Sequence, residues 1–167
     1  MTEPTRSCGP CTECCRVIQV DDVGDGFSKP ADQLCVNCTA TGCGIYDTRY
    51  EVCRTFQCGW LSDRRELLRE RDRPDRSGII ITAPGELCPP ILFGRKVLVA
   101  HECAPGAAEM TPGSTLIDRL TRRGYVVVVA ARSTDSRIVR ANDPAIADKV
   151  WRWLLREASH QSSSLLG

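Results

Sequence analysis

The chain has 167 residues, of which 42% are apolar, 5% aromatic and 26% charged, with a formal net charge of +1. That length suits one ordinary domain, or a small module joined to a modest core, and near-neutrality gives no global attraction for nucleic acid or an anionic membrane. No stretch approaches the ~18–20 apolar residues needed to span a bilayer, and the polar start MTEPTRSCGPCTECC lacks a signal peptide's apolar region, so a reducing cytoplasm is the expected location.

The compositional anomaly comes first in chain order. Nine of the 11 cysteines lie between Cys8 and Cys58, leaving only Cys88 and Cys103 for the rest. Residues 1–60 read as a loop-rich module interrupted by Gly24, Gly26, Gly42 and Gly44, with too little apolar periodicity to fold on a core alone. Something must cross-link it. Cys8-x-x-Cys11-x-x-Cys14-Cys15 is the first constellation; Cys35-x-x-Cys38-x4-Cys43 followed by Cys53-x4-Cys58 is the second. Two residues between thiolates let both sulfurs reach one metal while the intervening backbone donates N–H bonds to them. Neighbouring Cys14 and Cys15 diverge, which hints at two centres, a bridging thiolate or a polynuclear cluster. Nine sulfurs exceed two four-thiolate sites by one, so one is expected to be spare or bridging.

Other uses of these thiols fit less well. Disulfides need an oxidising compartment and leave one of an odd number unpaired. Inert buried cysteines explain one or two positions, not a run with repeated C-x-x-C spacing. A thioredoxin-like pair needs its C-x-x-C at a helix start after a strand, a context absent here. All-thiolate sites suit zinc and iron–sulfur clusters alike; zinc leads because it is four-coordinate and redox-silent, while the tight opening spacing keeps iron in play.

Residues 61–77 are expected to form a connecting helix, with Ser62 and Asp63 as starting caps and Pro74 as its stop. Residues 78–160 then read as an α+β layer. Strands are expected at 78–83, 96–101, 125–131 and 136–140, the continuous β-branched run YVVVVAA being suited to a sheet centre. Leu116, Ile117 and Leu120 mark a helical face that stops at Gly124. A last helix opens at Asp143-Pro144 and presents Ile146, Val150, Trp151, Leu154 and Leu155 to the sheet; residues 161–167 are a frayed tail. The expected fold is therefore α+β: a metal-stapled cysteine module followed by a small sheet with two to three helices.

The combined pattern Cys8-x-x-Cys11-x-x-Cys14-Cys15, Cys43-Gly-Ile-Tyr46-x-x-Arg49 and Cys53-Arg54-x-Phe56-x-Cys58 resembles the YkgJ-type cysteine-cluster family, described as zinc- or iron-chelating proteins. The resemblance covers roughly residues 8–61. It implies metal ligation by Cys8, Cys11, Cys14, Cys15, Cys38 or Cys35, Cys43, Cys53 and Cys58. Tyr50 departs from the family, which usually has proline there; that alters a turn, not a ligand. Distant relatives resemble flagellin lysine methylases that carry an iron–sulfur centre.

Two four-thiolate zinc ions would concentrate about four negative charges, which nearby guanidiniums can neutralise. Arg54 is the favoured donor, with Arg49 and Arg16 also in range, and Tyr46, Phe56 and Trp60 are expected to cap the cluster. His101 and His160 are the only histidines, too few for an imidazole-rich catalytic zinc; His101 reads as a packed strand-end residue and Cys103 as a buried bystander. No catalytic motif is recognised. The sequence thus points to a metal-binding protein with two centres or one polynuclear centre. An iron–sulfur redox or methylation-associated enzyme or accessory factor is the alternative. Metal ions are the expected partners, a protein partner is open, membranes are not expected and nucleic acid is disfavoured.

Overall fold

The structure, a computed structural model, describes residues 6–63, 65–84, 92, 94–132 and 137–153. Its frame is a four-stranded sheet in the order β3 (Ile79–Thr82), β4 (Val97–Glu102), β5 (Val126–Ala130), β6 (Arg137–Arg140). β3 and β4 run antiparallel, β4 and β5 parallel, and β5 and β6 antiparallel. The parallel pair needs a crossover, and helix α5 (Gly113–Arg122) supplies it. All four strands fall where their β-branched runs predict, with ends within one residue.

The sheet is covered on both faces, so β5 reads apolar throughout instead of alternating. Val127 and Val129 pack with Leu116, Ile117 and Leu120 of α5, whereas Val126 and Val128 pack with Ile146 and Val150. The latter pair belongs to helix α6, described over 144–153, whose first turn is capped by the Asp143 carboxylate accepting the Ala145 N–H at 2.9 Å. Trp151 turns away and is 38% exposed. Leu154, Leu155, His160 and the tail lie outside the described residues, as does Cys88.

The cysteine module is built from short pieces: helix α1 (Glu13–Val17), a two-residue hairpin of β1 (Cys38–Thr39) and β2 (Gly42–Cys43), helix α2 (Glu51–Thr55) and helix α3 (Gly59–Ser62). It is not a separate body. Val17, Cys58, Trp60 and Leu68 belong to the same buried cluster as Ile79, Ile81 and Leu120, with Cys14, Ile18 and Phe56 packed against it. Gly59 makes this approach possible: a Cβ there would sit 2.9 Å from the Ile81 Cγ2. Trp60, 4% exposed, donates its Nε1–H to the Arg69 carbonyl at 3.0 Å, and Arg6 bonds the Trp60 and Leu68 carbonyls at 2.8 and 2.7 Å.

One expected element is corrected. Residues 61–77 do not form a connecting helix: α3 ends at Ser62, and a 3₁₀ turn (Glu70–Asp72) and helix α4 (Pro74–Ser77) follow a turn. Two of the acids of this stretch bond backbone instead of supporting a helix. Asp63 accepts the Arg65 and Leu68 N–H groups at 3.1 and 2.6 Å, and Asp72 accepts that of Arg69 at 2.6 Å and pairs with Arg119. Pro74 starts a helix here, its missing N–H harmless in the first turn.

Candidate metal centre

The fold gathers nine thiols, distant in sequence, into one region. Cys8 and Cys11 come from the turn before α1, and Cys14 and Cys15 from α1 itself. Cys35 precedes the hairpin, Cys38 and Cys43 lie on it, Cys53 is in α2, and Cys58 immediately precedes α3. Eight of them line a cavity of about 130 Å³; Cys38 lies behind, against Cys15 and Cys35. Among the described residues no cysteine is in a disulfide.

Electrostatic and hydrogen-bond contacts sort the thiols into two groups. Cys8, Cys11 and Cys14 all face Cys58, and the Cys14 and Cys58 thiols are hydrogen-bonded to each other. Cys15 faces Cys38, Cys35 and Cys43 and hydrogen-bonds Cys38, which also bonds Cys35. Cys38 and Cys43 stand directly opposite in the hairpin, which places both side chains on one face. Cys53 joins this second group at its margin, near Cys35 and Cys43. Successive residues of α1 thus serve different groups, since adjacent helical positions diverge by about 100°. The groups meet where Cys8 faces Cys43. There the hairpin leans on the first turn: a Cβ on Gly42, whose φ is +129°, would sit 2.6 Å from the Gly9 carbonyl oxygen.

The first group lies deeper. Cys58 is buried in the main core, and the N–H groups of Trp60, Leu61 and Cys58 itself point at its sulfur. These donors, with the Cys14 hydrogen bond first among causes, pull the Cys58 pKa down to about 7 despite burial. Its partner Cys14 is pushed far up by that same bond and by burial, so the pair shares one proton. Backbone N–H groups of Glu13 and Asp75 also reach Cys11, although burial leaves its thiol above the usual value. Burial likewise raises Cys8, opposed by Arg49 and a Tyr46 hydrogen bond.

The second group lies nearer the surface. Burial first, then Cys38, pushes Cys15 up, and burial raises Cys38 and Cys53 too. The loop carrying Cys35 exposes its apolar neighbours Leu34 (53%) and Val36 (89%).

Of the three arginines singled out from sequence, Arg49 lies against the thiols. It sits beside Cys8 and Cys53, its guanidinium stacked 3.8 Å over the Tyr46 ring and its Nε bonded to the Tyr46 carbonyl at 2.8 Å. Arg54 is exposed and pairs with Glu51 at 2.7 Å, and Arg16 pairs with Glu13. Tyr46, Phe56 and Trp60 line the cavity with the thiols. Tyr50 stacks flat on Phe27 at 4.2 Å.

Sequence reasoning missed Lys29. It is 5% exposed, donates to the Pro30 and Arg16 carbonyls at 2.8 and 3.3 Å, and faces Cys15 and Cys35. Burial pulls its pKa down, and the two thiols oppose that. The available signal was its rarity: a lysine in an arginine-dominated chain, placed between the two cysteine constellations. Arg132 further ties this region to the sheet through Asp32 at 2.9 Å. Cys103 is buried against Glu13 and the Pro74 carbonyl, and His101 meets the Thr82 hydroxyl at 3.1 Å across the β3–β4 pair.

Among the described residues, no three Cys, His, Asp or Glu side chains stand closely enough to hold a metal ion as placed. No helix of the described residues is long and apolar enough to cross a membrane. Comparison with family models, curated proteins and solved structures gives no match.

Proposed function

We propose that this protein binds metal through its N-terminal thiols, holding two adjacent centres, with zinc the leading ion and iron the alternative. The observation that carries this reading is the gathering of nine cysteines from six separate segments, eight of them lining one cavity, in groups of four and five. A thiol cluster has no packing reason to form: nine larger apolar side chains would bury more hydrocarbon. Backbone N–H groups aimed at Cys58 and Cys11 stabilise thiolates, the form that binds metal. Arg49 and Lys29 place cations beside the two groups, where a thiolate-bound metal would carry net negative charge.

Cys8, Cys11, Cys14 and Cys58 would hold one ion, and the second group the other. The bound metal would lock α1, the hairpin, α2 and α3 together and supply folding energy that the loop-rich module lacks. The family resemblance over residues 8–61 agrees with this reading. The contact of the groups at Cys8 and Cys43 favours a second form of it, a single polynuclear iron–sulfur cluster. Anaerobic purification followed by metal analysis tests both. Colourless protein carrying zinc supports two centres; brown protein carrying iron and sulfide supports the cluster.

A further inference from the structure

The first group unites Cys8 and Cys11, near the start of the chain, with Cys58 at the head of α3, and all three line the cavity. Backbone bonding does not hold those segments together. Among the described residues, the Cys11 N–H bonds the Cys8 carbonyl at 3.0 Å, and no backbone hydrogen bond joins residues 6–11 to another segment. The Arg6 side chain supplies the link. Its Nη1 donates to the Trp60 carbonyl at 2.8 Å and its Nη2 to the Leu68 carbonyl at 2.7 Å, with the Asp63 carboxylate 3.6 Å away. The guanidinium also lies 5.0 Å from the centre of the Trp60 ring, within cation–π range. Arg6 stands just before Cys8 and Trp60 just after Cys58, so this contact joins the two thiol-bearing segments. The acceptors are fixed without it: Asp63 holds the Arg65 and Leu68 N–H groups, and Trp60 is anchored through its own Nε1. What the guanidinium orders is therefore the segment carrying Cys8, not the turn it grips.

Resting on the metal-binding reading above, we infer that Arg6 is a positioning residue of the first centre: its planar fork sets the place of Cys8 relative to Cys58, and so their ability to share one ion. Two carbonyls and a carboxylate need several donors in one fixed plane, which an ammonium group does not offer. With its side chain 22% exposed, the fork is largely withdrawn from competing water. The second group takes no part in this contact, since Cys15, Cys35, Cys38, Cys43 and Cys53 all lie outside the two joined segments.

The test uses the full chain loaded with zinc, its affinity read by competition with a chromogenic chelator. Cys15→Ser should keep the first centre alone, and Cys14→Ser the second alone. Adding Arg6→Ala to Cys15→Ser should weaken zinc binding by about 10–100-fold; adding it to Cys14→Ser should leave binding unchanged. Arg6→Lys, which keeps the charge but not the fork, should give a smaller loss in Cys15→Ser, and it carries the test if the alanine form does not fold. A lowered melting temperature with unchanged zinc affinity marks a merely structural arginine and overturns the inference, as does an equal loss in both backgrounds. Loss of all zinc in both serine variants overturns it together with the two-centre reading. Failure of metal binding itself looks different: the native chain retains no zinc, and the inference falls with it.

Discussion

At the residue scale, the neighbouring pair Cys14 and Cys15 decides how the thiols are divided. Cys14 faces Cys58 and Cys15 faces Cys38, so Cys14→Ser and Cys15→Ser should each remove about half of the bound metal and spare the rest. Mass spectrometry under native conditions checks this; loss of all metal in both variants would mean one shared cluster. Lys29→Met should weaken the second centre selectively, by about 10–100-fold, as removal of a supporting partner does. A competition titration would read that change. The lysine was invisible to spacing arguments, which weigh the cysteines alone; only its rarity and its place between the constellations marked it. Arg54 illustrates the converse: adjacent to Cys53, it points to Glu51 because α2 turns it outward.

A pH dependence of the metal-free chain belongs to this scale too. Cys58 is lowered from 9.0 to about 7, so between those values the unfolded chain holds a proton the folded one has lost, and stability rises with pH. Cys14, Cys15, Cys8 and Cys11 are shifted the opposite way. Above about 9 the unfolded chain loses protons that the folded one retains, and stability falls. Urea midpoints across the range should therefore peak between about 7 and 9; a monotonic trend would contradict the assigned shifts.

At the scale of elements, the sheet was legible and the connections were not. Strand and helix patterns in the second half carry their own periodicity: the four valines of β5, the Leu116–Ile117–Leu120 face of α5, the Asp143-Pro144 start of α6. The stretch 61–77 has no such pattern, and two of its acids, Asp63 and Asp72, bond nearby N–H groups in place of helix formation. In the module the gathering of the cysteines was legible from C-x-x-C spacing, but the division into groups was not, because Cys58 lies 44 positions beyond the Cys14 it meets. Two glycines hold the pieces in register. Gly42→Ala should cost about 1–3 kcal/mol, since a Cβ strikes the Gly9 carbonyl at a backbone angle that L residues disfavour. Thermal melts of the metal-free and metal-loaded variant would show it.

For the molecule as a whole, the module and the sheet share one hydrophobic cluster, joined by Val17, Trp60 and Leu68 against Ile79 and Ile81. Trp60→Ala should therefore destabilise both parts together, by about 3–5 kcal/mol. Far-ultraviolet dichroism for the sheet and zinc release for the module should then report one common transition. The module's own apolar burial is too slight to fold it alone, and a bound metal would act through Cys58 and Cys14 directly on that shared core.

The central claim, that the gathered thiols are a metal centre, is tested most directly by measuring metal per chain on protein purified without chelator, then following the fold as EDTA is added. About two zinc ions per chain, with the melting temperature falling markedly on chelation, is the predicted result. Less than about one metal of any kind per chain, with dichroism and melting unchanged by EDTA, would contradict it.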